Sequence, residues 1–505
     1  MQKELKNLAR RNIRMYKYQS GQLSIWEFGQ PMGMELSENN RWVKKAKLIP
    51  WNEIEKRYAK LFKSGTGNVA KPLRLALGAC MIQTEYGYSD VEIVLQIQEN
   101  AYLQYFCGYS EYNDKRMPFD PSLMVYFRKR LTSEIIGEVN EMIITSTKRQ
   151  KEDSDNNHHD NGNQGESDQG KNGSSKNNAE SNISATDSTE TNSGTVIVDA
   201  TCAPSNIRYP QDASLLNEAR ENTEEIIDTL HVCGQKKPRT YRKQAHKDYL
   251  ALVRCRKPSA QKVRKAIKKQ LGYLKRNLAN IDVVDGKETK LKRNQLERLE
   301  TIHKLYEQQK TMYDSRTHRV PDRIVSLSQP WIRPIVRGKA KSPVEFGAKL
   351  DISVCDGLTR LEFCSFDAYN ESKTLKDTIK KYRERTGHYP SRVLADKIYR
   401  NRENRNYCKE HGIALSGPAL GRPKKDDVID KKQNYLDECE RVEVERRFSL
   451  AKAKCGLGLI SAKLETTALH CISMSILILN LRKLAQLLRS IFAWIFTIRK
   501  ITAVQ

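Results

Sequence analysis

The residues in this chain best suited to chemistry are three acids, each set in a distinct local pattern. Asp199 follows Thr195-Val196-Ile197-Val198, a β-branched run emerging from a polar tract, and reads as the carboxyl end of a buried strand. Asp396 closes Ser391-Arg392-Val393-Leu394-Ala395 after a stop at Pro390, repeating the device. Glu445 lies in Arg441-Val442-Glu443-Val444-Glu445-Arg446-Arg447-Phe448, followed by Lys452 and a stop at Gly456 and Gly458. On a helix, Arg441, Glu445, Phe448 and Lys452 share one stripe while Glu443 points away. Either aspartate alone reads equally well as a cap for the next turn. Ligands gather at the carboxyl ends of strands in open α/β sheets, so two such acids plus a helical carboxylate favour a site.

Three carboxylates between cations suit hard divalent ions that take oxygen ligands and keep several waters. Two Mg²⁺ (or Mn²⁺) ions about 4 Å apart can activate an attacking oxygen and stabilise a leaving one at phosphorus. The chemistry implied is phosphodiester cleavage. The His and Cys residues show no paired spacing of the kind zinc requires. His158-His159-Asp160 lies in a low-complexity tract, where such triplets arise by chance.

These residues resemble the DDE transposases of bacterial insertion sequences, most closely the insertion-sequence-five group. The matching segments are Asp199-Ala-Thr-Cys-Ala-Pro-Ser-Asn-Ile-Arg-Tyr-Pro-Gln-Asp212 with Leu215-Leu216, and Arg333 to Arg337 through Glu345-Phe-Gly-Ala-Lys349. Ala395-Asp396-Lys397-Ile398-Tyr399 continues them, and Arg441, Glu445 and Lys452 keep the spacing of a Tyr-x2-Arg-x3-Glu-x6-Lys signature, with Glu438 in place of the tyrosine. Residues 71–131 resemble the family's amino-terminal domain. The resemblance implies a ribonuclease-H-like catalytic fold with Asp199, Asp396 and Glu445 as catalytic metal ligands. Arg441, Lys452, Arg333, Arg337 and Lys397 would be the supporting or phosphate-contacting cations. It further implies double-stranded DNA as partner (terminal inverted repeats and target), a homodimer in the active complex, and a bacterial cytoplasmic, nucleoid-associated location.

Composition agrees with a polyanionic partner. The 505 residues carry a formal charge of +27, a self-repulsion that nucleic acid or an anionic membrane would offset. The 11 cysteines show no C-x-x-C pair or disulfide framework, as expected for a reducing cytoplasm. The opening Met-Gln-Lys-Glu-Leu-Lys does not read as a signal peptide, so none is expected. Two apolar runs near the carboxyl terminus, 471–480 and 491–498, are broken by Arg482, Lys483 and Arg489 and are each too short to span a bilayer; they read as core helices.

The expected architecture is α/β: an all-α amino-terminal DNA-binding domain (1–150), a disordered polar linker (151–194), a ribonuclease-H-like catalytic domain (195–480), and an apolar, basic helix or tail (481–505). The catalytic domain is a mixed sheet flanked by helices. Within 1–150, Ser89-Asp-Val-Glu92 reads as a capping box and Asp120-Pro121 as a helix start. The Tyr86-Gly87-Tyr88 break leaves helix-turn-helix and bundle corner open, with Arg128-Lys129-Arg130 favouring DNA contact. The linker, nearly devoid of large apolar side chains, cannot bury enough surface to fold. An insertion at about 214–330 reads as an antiparallel helical hairpin, its first helix (256–280) strongly basic and suited to phosphate backbone. Asp356-Gly357 joins two strands in a hairpin, and Gly421-Arg-Pro-Lys-Lys425 is a basic loop. The leading function is a transposase that cleaves element ends and joins the 3′-OH to target DNA. A metal-dependent nuclease without joining activity and an inactive nucleic-acid-binding relic are the alternatives.

Overall fold

The structure, a computed structural model, describes residues 16–19, 24–62, 69–159, 191–232, 234, 236–284, 286–336, 344–417 and 431–502. It opens with helices α1 (Arg41–Leu48), α2 (Trp51–Ala59), α3 (Leu73–Tyr86), α4 (Asp90–Glu99), α5 (Ala101–Phe106), α6 (Leu123–Arg130) and α7 (Ser133–His159). Gly87, at φ +71°, ends α3 at the expected break. Ser89 caps α4 by accepting the Glu92 N–H, but the reciprocal half of the box is absent because Glu92 accepts from Gln96 instead (2.9 Å). Asp120 holds the Ser122 N–H at 2.9 Å in a preliminary turn, so α6 starts at Leu123 rather than at Pro121.

α7 runs through residue 159, into the stretch expected as linker, since no Gly or Pro stops it there. Residues 160–190 of that stretch, His158-His159-Asp160 in its last member, and the basic loop 421–425 lie outside the described residues. The chain is fastened again before the sheet starts. Asn192 donates to the carbonyls of His411 and Gly412, and Ser193 N–H donates to Tyr389.

The sheet comprises β1 (Thr195–Pro204), β2 (Arg333–Val336), β3 (Val344–Cys355), β4 (Leu358–Ser365), β5 (Arg392–Ala395) and β6 (Ala414–Leu415). β3 pairs β1 along one edge and both β2 and β4 along the other, all antiparallel; β5 lies parallel to β1, and β6 parallel to β5. β3 therefore runs against every other strand. Asp356 (φ +53°) and Gly357 (φ +70°) make the tight β3–β4 turn in the left-handed conformation that a two-residue hairpin demands.

Between β1 and β2 come α8 (Asp212–Leu230), α9 (Arg242–Val253), α10 (Ala260–Asp282), α11 (Lys287–Lys290) and α12 (Arg293–Ser315). α10 and α12, the two helices foreseen as a hairpin, close a core with α8 through Leu216, Leu274, Ile281, Ile302 and Leu305. The insertion is thus a helical subdomain rather than a bare two-helix arm. α13 (Leu375–Thr386) and α14 (Arg402–Glu410) flank β5, and α15 (Lys431–Lys454) and α16 (Glu465–Thr502) follow β6.

Alternation along β1 decides what each face meets. Val196 and Val198 join Leu375, Ile379, Tyr382 and Tyr399 in one core. Ile197 and Ala203 join Val444, Leu477 and a long series from Ile25 to Ile144 in another. The amino-terminal helices therefore share a core with the second face of the sheet through α16. Arg482 and Lys483 interrupt the apolar composition but not the helix, so the two carboxyl-terminal runs fall on a single element. Its Glu465–Leu487 portion is long and apolar enough to cross a membrane, yet 72% of its most apolar window is buried within the protein. That burial is what a core helix requires.

Candidate active site

The β1–β5 register decides the site. Ile197 pairs with Leu394 and Val198 with Ala395, so Asp199 and Asp396 are the next residues on neighbouring parallel strands. Both fall on the face shared with Val444 of α15. β1 continues to Pro204 but loses its β5 partner after Val198, and this places Asp199 beside an opening rather than at a strand terminus.

Burial pushes the Asp199 carboxyl up to about 6; the Ala200 N–H (2.8 Å) and the Arg441 guanidinium oppose the rise, while Glu371 and Asp396 add to it. Asp396 is exposed and caps the turn Lys397–Tyr399 by accepting the Lys397 N–H. Glu445 is 57% exposed and sits 3.5 Å from Arg441, one helical turn earlier. Among the described residues no three His, Cys, Asp or Glu side chains converge closely enough to hold a metal ion. The two aspartates fit a divalent cation: adjoining carboxylates on one face repel each other, and a cation relieves both that repulsion and the cost of burying Asp199. Glu445 stands aside from them on α15, turned to solvent.

The supporting cations divide. Arg441 is half-buried within the field of Asp199, and Lys397 is exposed beside Asp396. Lys452 is half-buried in the last turn of α15, about 10 Å along the helix from Glu445. Phe448 packs onto the shared core, as its place on the stripe requires. Arg333 is not brought to the acids. It pairs with Gly347, which faces Pro204, roughly 16 Å along β1 from Asp199. Its guanidinium donates to the carbonyls of Pro330 and Ile332 and lies 3.6 Å from Asp367. Arg337 lies outside the described residues.

Two acids near the site carried no clear sequence signal. Asp351 on β3 pairs with Ala200 and so projects from the opposite face to Asp199. It is fully buried, accepts from Tyr369 Oη (2.7 Å) and from Thr374, and burial raises its carboxyl to about 6. An acid inside the apolar run Leu350-Asp351-Ile352 was the one available hint. Glu371, 3.4 Å from Lys349, acts on both Asp199 and Asp351. A cavity of about 540 Å³ lies between α7, β4, α13 and α16, and Asp199, Asp396 and Glu445 are not among the residues that line it. Its charges are paired internally, Arg360 with Glu141 and Arg385 with Glu362.

The cationic surfaces foreseen for DNA also divide. Arg128 makes a bidentate pair with Asp90 and Arg130 stacks on Phe62, which leaves Lys129 as the exposed cation of that trio. On α10, Arg264 donates to Tyr313 and stacks on its ring, and Lys269 pairs with Asp248. Lys262, Lys265, Lys268 and Lys275 remain exposed on the back and flanks of the helix, away from the buried Leu271–Leu274–Leu278 face, and Arg276 is exposed but stacks on the Tyr241 ring.

Residues 393–482 match the Transposase DDE domain, and residues 32–130 match the Transposase domain (DUF772). Two stretches of the chain are thus similar to transposase domains. The DDE match includes Asp396 and Glu445 and begins beyond Asp199. An uncharacterised protein from the nfe locus of Rhizobium meliloti is 31% identical over 97 residues, 19% of this chain. The chain spans about half (46%) of that relative's length. No solved structure matches.

Proposed function

We propose that this transposase cleaves DNA at the terminal inverted repeats of an insertion sequence of the insertion-sequence-five type and transfers the 3′-OH ends into target DNA. The observation that carries the reading is the β1–β5 register, which puts Asp199 and Asp396 side by side on the face that meets α15. The strand path, in which β3 alone opposes the others, supports a ribonuclease-H-like catalytic domain.

Asp199, Asp396 and Glu445 would hold the divalent ions, Mg²⁺ or Mn²⁺. When bound, such a pair supplies an activated attacking oxygen and stabilises the leaving one. The chain's own contribution is positioning. The strands fix the two aspartates, and Arg441 stands near Glu445 while offsetting the charge on Asp199. Lys397 and Lys452 offer cations to the DNA strand. The exposed lysines of α10 grip duplex backbone without reading bases.

Purified protein, DNA bearing the element's inverted repeats and Mg²⁺ decide the matter. Cleavage at the repeat ends, and joining of pre-cleaved 3′-OH ends to a second duplex, are the expected products. Cleavage without joining would assign a nuclease. Repeat binding with neither reaction would leave a DNA-binding protein.

A further inference from the structure

We propose that Arg400 is a phosphate-binding residue of this site, contacting the DNA strand at Asp396; the assignment rests on the transposase reading above. Arg400 follows the turn Lys397–Tyr399 that Asp396 caps. Its guanidinium lies in the field of Asp396, Glu438 and Arg441. Yet it makes no hydrogen bond or ion pair among the described residues, and its Nε–H is buried without a partner. A cation placed only to neutralise Asp396 or Glu438 would be expected to pair with one of them.

The backbone is shaped around this side chain. Gly417 adopts φ +97°, and a Cβ there would overlap the Arg400 guanidinium. The same loop is tied to the strand bearing Asp396, because Ser416 Oγ accepts the Ala395 N–H at 3.2 Å. Only glycine combines that left-handed backbone with room for the guanidinium. A seated guanidinium with unused donors, beside carboxylates suited to divalent ions, has the geometry for the non-bridging oxygens of a phosphodiester. Its fixed fork would meet charge that grows on those oxygens during displacement. Sequence spacing gave no sign of it, because the seat is built by a residue far along the chain.

The test compares wild type with Arg400→Gln, Arg400→Lys, Gly417→Ala and the exposed control Arg402→Gln, each with its thermal midpoint. Cleavage of inverted-repeat DNA in Mg²⁺ gives the rate. Binding to the same DNA without divalent ions, over a salt series, gives the slope. Arg400→Gln should lower kcat by about 10²–10³-fold, the scale of losing one preorganised donor. It should also flatten the salt slope by about 0.9, one phosphate contact, with an unchanged midpoint. Arg400→Lys should restore the slope but only part of the rate. Gly417→Ala should reproduce the Arg400→Gln slope by displacing the guanidinium. Wild-type rate and slope in Arg400→Gln, or a fall in midpoint equal in the Gln and Lys variants with no change of slope, would overturn the proposal. Should wild type itself fail to cleave, the transposase reading is at fault, and the binding slopes still decide the role of Arg400.

Discussion

Arg441 and Glu445 stand 3.5 Å apart on successive turns of α15, and Arg441 also lies in the field of Asp199. One guanidinium thus links the helical acid to the strand acid. The separation exceeds a hydrogen bond and Glu445 is largely exposed, so little holds its carboxylate in place.

Asp199→Asn, Asp396→Asn and Glu445→Gln should each lower Mg²⁺-dependent cleavage more than about a hundredfold while leaving repeat binding intact. Glu443→Gln should do the reverse. Glu443 accepts from Arg447, which is 3% exposed, so its neutralisation leaves a buried guanidinium without its counter-charge and lowers stability by about 1–3 kcal/mol with cleavage retained. Cleavage rates and thermal midpoints of the same four proteins separate the roles. An active Glu445→Gln protein beside an inactive but stable Glu443→Gln protein would reverse the assignment.

The acids were legible in the sequence because each sits in a pattern with a physical cause. Val196-Ile197-Val198 and Val393-Leu394 are β-branched or apolar runs that suit a buried strand, and the Arg441–Glu445–Phe448 spacing fixes one helix stripe. Periodicity states that a face is buried without stating against what. Hence α16, read as separate apolar runs, emerges as the element shared by the amino-terminal helices and the sheet. The partners of Arg128 and Arg264 were hidden for the same reason, since charge in a sequence does not reveal whether Asp90 or Tyr313 waits across the fold.

Neutralising Lys262, Lys265, Lys268 and Lys275 to Gln should weaken repeat and random duplexes alike and reduce the salt slope by about 0.9 for each phosphate contact removed. Arg264→Gln should instead lower the thermal midpoint, because its hydrogen bond to Tyr313 joins α10 to the end of α12. Titrations over a salt series on both duplexes check this. Loss confined to repeat DNA with an unchanged slope would mean that α10 reads sequence or forms a protein contact.

Stability should depend on pH through buried carboxyls and a buried histidine acting in opposite directions. Asp351 is raised from 3.8 to about 6, so the folded chain keeps a proton that the unfolded chain has lost. Its destabilising contribution is fully present above about pH 6, amounts to about 3 kcal/mol, and disappears as pH falls toward 4. Asp199 moves the same way. His470, 2% exposed and bonded to the Leu131 carbonyl, is lowered from 6.5 to about 4 by burial. Its contribution is intact above pH 6.5 and is lost as pH falls from there toward 4. Asp351→Asn should gain on wild type as pH rises from 4 to 7, and His470→Asn should gain as pH falls from 7 to 4. Urea unfolding at each pH checks both signs; curves parallel to wild type would show that neither group titrates as described.

The shared core should fail at one buried knot. Asn480 of α16 donates to Asn140 Oδ1 (2.8 Å) and to the Thr359 carbonyl (2.7 Å), and accepts the Thr359 N–H (2.8 Å). These bonds join α7, β4 and α16 where water does not reach, all three residues being buried. Asn480→Leu keeps the volume but strands the Thr359 N–H and the Asn140 carbonyl oxygen, at a cost of about 2–4 kcal/mol. Pairing it with Asn140→Leu should recover little, because the Thr359 N–H stays orphaned and the Thr359 carbonyl also loses its bond from Asn140 Nδ2 (3.3 Å). The double-variant cycle measures that coupling, and amide exchange at Thr359 should accelerate in every protein lacking Asn480. Removal of residues 1–148 takes away Asn140 and the apolar surface that covers α16, so the truncated chain should aggregate rather than persist as an end-blind catalytic domain. A soluble truncation that unfolds cooperatively near the wild-type midpoint would show that the sheet and α16 are stable without their amino-terminal cover.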